Sequence, residues 1–229
     1  AEPGYGIERV RFAEPVPVAA GFKVIEDYLT GLGRPLTCFC ACELRSPAPF
    51  DDAGFIAFNR VYVGTLERWG IFKEDDNPVA RSNVCPELNP PPEPGFHAFS
   101  YTVPVGEDDQ RPSFVISGSA EAREGAGDYS ERTIRLGETG ADAMREKASY
   151  VLGVMETRMK GFGLGWSDAS ATQVYTVHEL HSFLADEIVS RGAARNGLTW
   201  HYARPPVFTL DYEMDVHGVA VERLSRVNM

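Results

Sequence analysis

The chain has 229 residues, room for one large domain or two of about 115 each. Its 22 Lys plus Arg against 33 Asp plus Glu leave a formal charge of −11 and a pI near 4.9. With no basic cluster to track phosphates, nucleic acid is an unexpected partner and a ribonuclease role is disfavoured. No stretch nears the roughly 18 apolar residues of a membrane span. The N-terminal AEPGYGIERV lacks the basic and apolar regions of a secretory leader, so the expected compartment is the cytoplasm; a start at Ala1 leaves a processed leader open.

In chain order, ERVRF (8–12) reads as a short edge strand, followed by a Pro-spaced turn at 15–17. VAAGFKVIEDYLTGLG then reads as a helix, because Phe22, Ile25, Leu29 and Leu32 recur at helical spacing and Gly31 and Gly33 stop it. Residues 36–44 read as a strand on which Cys38, Cys40 and Cys42 share one face. That face is either a soft-metal site or simply a buried row of small apolar side chains. An amphipathic helix of about five turns follows over 53–72, then the extended segment VARSNVCPEL. The run NPPPEPG (89–95) can continue neither a helix nor a central strand and marks a domain boundary, giving units 1–92 and 93–229. Beyond it come strands FHAFSYTVP, PSFVISGSAEA and ERTIRL, and a long helix over 139–161. A strand at 172–180, a helix at 182–194 and strands at 205–211 and 215–223 complete the chain.

The two halves repeat one order of motifs. IEDYLTGLG (25–33) lines up with METRMKGFG (155–163), and TCFCACELRS (37–46) with QVYTVHELHS (173–182). Ala80-Arg81 lines up with Ala203-Arg204, and Phe96-His97-Ala98 with Val216-His217-Gly218. Two copies of one unit are expected, the first short of its opening strands.

The repeated unit resembles the Rid (reactive-intermediate deaminase, YjgF-type) family. PVARSNV (78–84) is similar to its arginine segment, FIAFNRVY (55–62) to its FxxxN helix, FVISGSAE (114–121) to its SGQ strand and YARPPV (202–207), less closely, to a second arginine segment. The resemblance implies an α+β protein of two tandem Rid/chorismate-mutase-like domains, each a mixed sheet with two helices on one face. It also implies a homo-oligomer, a trimer of two-domain chains. The implied activity is hydrolysis of a small carboxylated enamine or imine, 2-aminomuconate-like or 2-aminoacrylate-like, with release of ammonia and no metal or organic cofactor. Carried over, the carboxylate clamp falls on Arg81 and Arg204. Asn59, Ser82, Ser117 and Ser119 shape the substrate cleft, Ser119 standing where the family has Gln. The second copy has Asp186 or Glu187 where Asn is expected.

The family's acid position is filled by His97 in one copy and His217 in the other, and either imidazole can act as a base near neutral pH. Glu213 and Asp215 are the alternative carboxylates. A guanidinium fork suits a planar carboxylate better than Lys does. If the lost acid matters, the alternative is a non-catalytic carboxylate-binding protein on the same fold. His178, His181 and His201 sit at no familiar zinc spacing, and the SGS serines have no recognisable triad partners.

Overall fold

The computed structural model describes residues 1–74, 76–106, 111–125 and 127–226. The chain opens on strand β1 (Tyr5–Pro17), helix α1 (Val18–Gly31), β2 (Phe39–Arg45), α2 (Asp52–Arg68), β3 (Ala80–Pro86) and β4 (Gly95–Pro104). It continues with β5 (Phe114–Ala120), the short turn of helix α3 (Tyr129–Arg132), α4 (Ala141–Gly161), β6 (Ala171–Tyr175) and α5 (His181–Phe183) with its π-helical extension Leu184–Val189. β7 (Thr199–His201), β8 (Ala203–Arg204), β9 (Glu213–Gly218) and β10 (Val221–Ser225) close it. None of the described helices is long and apolar enough to cross a membrane.

Two mixed sheets result, ordered β10-β1-β4-β2-β3-β8 and β5-β9-β6-β7. Within them the quartets β1-β4-β2-β3 and β5-β9-β6-β7 share order and sense. In each quartet the closing strand (β4, β9) is antiparallel to its two neighbours, and the remaining pair runs parallel. The sheets exchange strands at two corners, where β7 runs on into β8 and β9 into β10.

Period-2 alternation explains the layering. On one face of each sheet the apolar residues meet helices: Val10, Phe12, Leu44, Phe96 and Phe99 with α1 and α2, and Ile116, Val174, Met214 and Val216 with α4 and Phe183. The alternate residues are polar, and a narrow void between the sheets is lined from both of them by Glu43, Ser82, Ser100, Asp215 and His217. Arg9 grips Glu43 with two bonds of 2.6 and 2.8 Å, and Asp215 accepts from Gln173 and Tyr175 at 2.8 Å each. Helices α1 and α4 both end on a left-handed glycine, Gly33 (φ 66) and Gly163 (φ 73). The next N–H in each case (Arg34, Leu164) bonds back to Leu29 or Met159, the closure that the GLG and GFG stops predict.

Several expectations are corrected. The opening strand of the first sheet is present: β1 runs 13 residues between β10 and β4, and the Pro-spaced 15–17 lies within it beyond a bulge rather than in a turn. NPPPEPG joins β3 to β4 inside the six-stranded sheet, so a cut at 92/93 would sever β4 from β1 and β2; the passage to the other sheet falls after Pro104. Cys38 lies in a 3₁₀ turn, leaving only Cys40 and Cys42 on β2, and all four cysteines are free. Leu32 is exposed beyond the end of α1. ERTIRL is not a strand, because Thr133 caps α3 through Tyr129 O and Arg135 turns the chain at φ 51. The expected strand at 205–211 is a loop, its place taken by the short β7 and β8. The helix at 182–194 is a short irregular one.

The repeat alignment also shifts. The helix ends match at an offset of 130 residues, and the same offset places Glu43 against Gln173 and Arg45 against Tyr175. The ladder partners of Glu43 and Gln173 then set Ala98 against Asp215, and those of Ala41 and Ala171 set Ser100 against His217. His97 and His217 are therefore not counterparts. Arg81 pairs with Cys42 on β3, whereas Arg204 lies on β8, which belongs to the first sheet, so these arginines are not equivalent either.

Candidate functional site

A cleft of about 240 Å³ opens where α2 and β3 meet β5, α4 and β9. Phe55, Arg81 and Asn83 line one side, and Gly118, Ser119, Arg158 and Glu213 the other, with Tyr129 and Arg132 contributed by the 121–140 connection. Arg81 projects over the aromatic rings of α2, its guanidinium 5.8 Å from the centroid of Phe55 and 5.4 Å from that of Tyr62. Among the described residues its guanidinium has no hydrogen bond or ion pair, while its backbone N–H donates to Ser117 Oγ at 3.2 Å. A cation held on π-faces without an anion is poised for one from outside.

Two further guanidiniums face Arg81. Arg158 donates to Ser117 O at 3.1 Å and reaches Glu124 at 3.3 Å. Arg132 lies over the Tyr129 ring and bonds two backbone carbonyls, Gly127 O and Arg123 O. Asn83 is buried; its amide oxygen accepts from Ser46 at 3.0 Å, and its amide nitrogen has no partner.

Glu213 is the buried carboxyl of the cleft. Burial first, then the negative charges of Asp215 and Glu121, raise its pKa well above the usual carboxylate range, against the opposing pull of Arg45 and Arg81. The surroundings of Glu213 thus favour its protonated form. Three guanidiniums against the Glu124 carboxylate leave the cleft cationic within a chain of net charge −11. Such a site favours an anion carrying more than one carboxylate.

Of the residues singled out by sequence, Arg81 and Ser119 line the cleft, and Ser117 ties β5 to β3 and α4 beside it. Ser82 is buried between the sheets with Oγ unpartnered. Asn59 lies one turn beyond Phe55 on α2, its amide oxygen buried and unpartnered. The other three lie elsewhere. Arg204 is a surface residue in a two-bond pair with Glu87, at 2.7 and 3.0 Å. His217 bonds Glu222 at 2.9 Å and faces the inter-sheet void of about 20 Å³. His97 packs 6.3 Å from His201, and burial plus the Arg45 charge push its pKa down to about 2, too low for a base that cycles near neutral pH. Asp215 is held in the inter-sheet network. His178 approaches Asp211 and His181 pairs with Glu179, and among the described residues no three His, Cys, Asp or Glu side chains converge as a metal site.

Sequence reading missed Asn83, Arg132 and Arg158. Arg158 stands within the repeated METRMKGFG motif, a usable signal. Arg132 was hidden in a segment of strand-like composition, and Asn83 stands within the arginine segment with nothing to mark it.

The sequence profile of the family described as 2-aminomuconate deaminase CnbZ matches residues 1–223. A 2-amino-5-chloromuconate deaminase of Comamonas testosteroni is 51% identical over 222 residues, covering 97% of this chain and 88% of that protein. Among solved structures, a chorismatase superposes with a TM-score of 0.53 at 13% identity over 94% of this chain and 74% of its own, a likeness of fold.

Proposed function

This chain belongs to the 2-aminomuconate deaminase family, and from that premise we propose that it hydrolyses the amino group from a 2-aminomuconate-like dienamine dicarboxylate, releasing ammonia. The observation that carries the reading is the pairing, in one cleft, of the unpartnered Arg81 with the buried Glu213, whose surroundings favour its protonated form. Arg81 clamps the carboxylate next to the amino-bearing carbon, and Arg132 and Arg158 receive the distal one. Asn83 donates its free amide N–H to the substrate.

The enamine nitrogen pushes its lone pair into the diene, and Glu213 delivers its proton to the carbon chain. The resulting iminium ion is electrophilic at the carbon that bears nitrogen. Water adds there, and the Glu213 carboxylate takes up its proton. The tetrahedral amino alcohol collapses, the nitrogen leaves as ammonia with the hydroxyl proton, and a 2-oxo dicarboxylate remains. One water is consumed and one ammonia released, and Glu213 ends protonated. The guanidiniums are worth most here because the site is partly buried, where charge is weakly screened.

We also read the architecture as two Rid-like units joined after β4, supported by the common order and sense of the two strand quartets. The cleft then takes its clamp from one unit and its acid from the other. The test is an ammonia-release assay on freshly generated 2-aminomuconate. Release that is lost in Arg81→Ala and Glu213→Gln supports the reading, and no release from the unaltered protein overturns it.

A further inference from the structure

A buried cluster stands directly beside Glu213, and the reaction above does not use it. Lys147 of α4 is wholly buried, with Nζ 3.2 Å from Glu121 Oε1 and 2.5 Å from Asp211 Oδ2. Glu121, the first residue beyond β5, accepts the N–H of Asp211 on Oε1 at 2.6 Å and that of Tyr212 on Oε2 at 3.0 Å. These are the two residues that immediately precede Glu213. Thr176, just past β6, donates to Asp211 O at 2.7 Å, and His178 Nε2 lies 3.4 Å from Asp211 Oδ1. The chain leading into Glu213 is thus tied to β5, to α4 and to the end of β6. Two of those elements carry the cleft's other residues, Gly118 and Ser119 on β5 and Arg158 on α4.

A buried ammonium gains little net stability over an apolar side chain of similar volume, because desolvation offsets the attraction. Such a cluster is better suited to holding a geometry. We propose that Lys147 and Glu121 are positioning residues for the deamination, a clamp that fixes Glu213 relative to the guanidiniums of the cleft. The proposal rests on the reading of Glu213 as the acid. Displacing a catalytic group by about 1 Å costs on the order of 10²-fold in rate. The clamp also sets charge: Glu213 faces the negative Asp215 and Glu121 and the positive Arg45 and Arg81, and only Glu121 belongs to the clamp.

The test uses the double variant Glu121→Gln/Lys147→Met, which removes both charges together, with Glu121→Gln alone as the near-isosteric second variant should the double fail to fold by circular dichroism. The expected result in the folded variant is a kcat lowered by about 10- to 100-fold, with KM for 2-aminomuconate within about threefold because the guanidiniums remain. In Glu121→Gln alone the basic limb of the kcat–pH profile should move to lower pH, since a negative charge no longer helps keep Glu213 protonated. A purely structural role would not move that limb. A folded variant with kcat within about twofold of the unaltered protein and an unshifted limb overturns the clamp. Glu213→Gln, run in parallel, separates the two ideas. If it retains full activity the acid assignment has failed; if it is inactive while the clamp variants are normal, only the clamp has.

Discussion

Gly118→Ala is the sharpest test of where Glu213 sits. The backbone of Gly118 is in an ordinary region, so the substitution acts through space alone. An added Cβ would lie 2.2 Å from Glu213 Oε1, 3.0 Å from Ser82 Cβ and 3.2 Å from Ser82 Cα. Carbon contacts are optimal at about 3.5 Å, so the carboxyl must retreat by about 1 Å. The methyl cannot escape toward β3, because Ser82 is part of a paired strand there. A retreat of that size corresponds to about a 100-fold loss of kcat, or about 2.7 kcal/mol of transition-state stabilisation. KM should stay nearly constant, since Arg81, Arg132 and Arg158 are untouched. Overpacking should lower stability by about 1–3 kcal/mol, leaving the protein folded. The assay is steady-state ammonia release at saturating substrate, alongside urea unfolding. A folded Gly118→Ala protein with kcat within about threefold of the original would show that Glu213 is not the reacting acid.

Arg81→Ala should lower kcat/KM by about 10- to 150-fold through loss of a charge-assisted contact, read in the same assay. Arg204→Ala should leave kcat/KM within about twofold and cost under about 1 kcal/mol in urea unfolding, because its pair with Glu87 is solvent-exposed. His97 has a folded pKa depressed to about 2 from 6.5, so below pH 6.5 the unfolded chain binds a proton that the folded one refuses. Its share of stability is therefore intact above pH 6.5 and lost as pH falls. His97→Asn should flatten the acid side of the stability curve by up to about 1.4 kcal/mol per pH unit between pH 6 and 4.5, measured by urea unfolding. Light scattering should give three times the 25.2 kDa chain mass, the trimer expected from the Rid resemblance; a monomeric mass would remove that expectation.

Local patterns carried much of the architecture. The helical spacing of Phe22, Ile25 and Leu29, the alternation in β4 and β5, and the glycine stops after α1 and α4 were readable because propensity and burial agree within one segment. Recurring motifs in the two halves were visible too, and the arginine segment at 78–84 led to Arg81. What short motifs could not set was register. The shared Glu-Leu-x-Ser placed the second copy six residues from the offset of 130 at which the helix ends align, and the matches of His97 to His217 and Arg81 to Arg204 stand at still other offsets. In a strand, register decides which face a side chain joins, and ladder pairing across the whole sheet decides register. NPPPEPG misled for a related reason: proline interrupts a segment, but whether the next strand stays in the same sheet depends on its partners, here β1 and β2.

The sequence by itself determined the class of protein, the approximate elements, one arginine of the cleft and the kind of chemistry that the family performs. Only the tertiary structure separated the two carboxyls of β9. Glu213 and Asp215 sit two residues apart on one strand, on the same face, and their chemistry is identical on paper. Gln173 and Tyr175 hold Asp215 in the inter-sheet network, while Glu213 reaches the cleft beside Gly118 and Arg81. The difference lies in which neighbours the fold brings within a few ångströms, since burial and nearby charge, rather than residue type, set a proton's affinity.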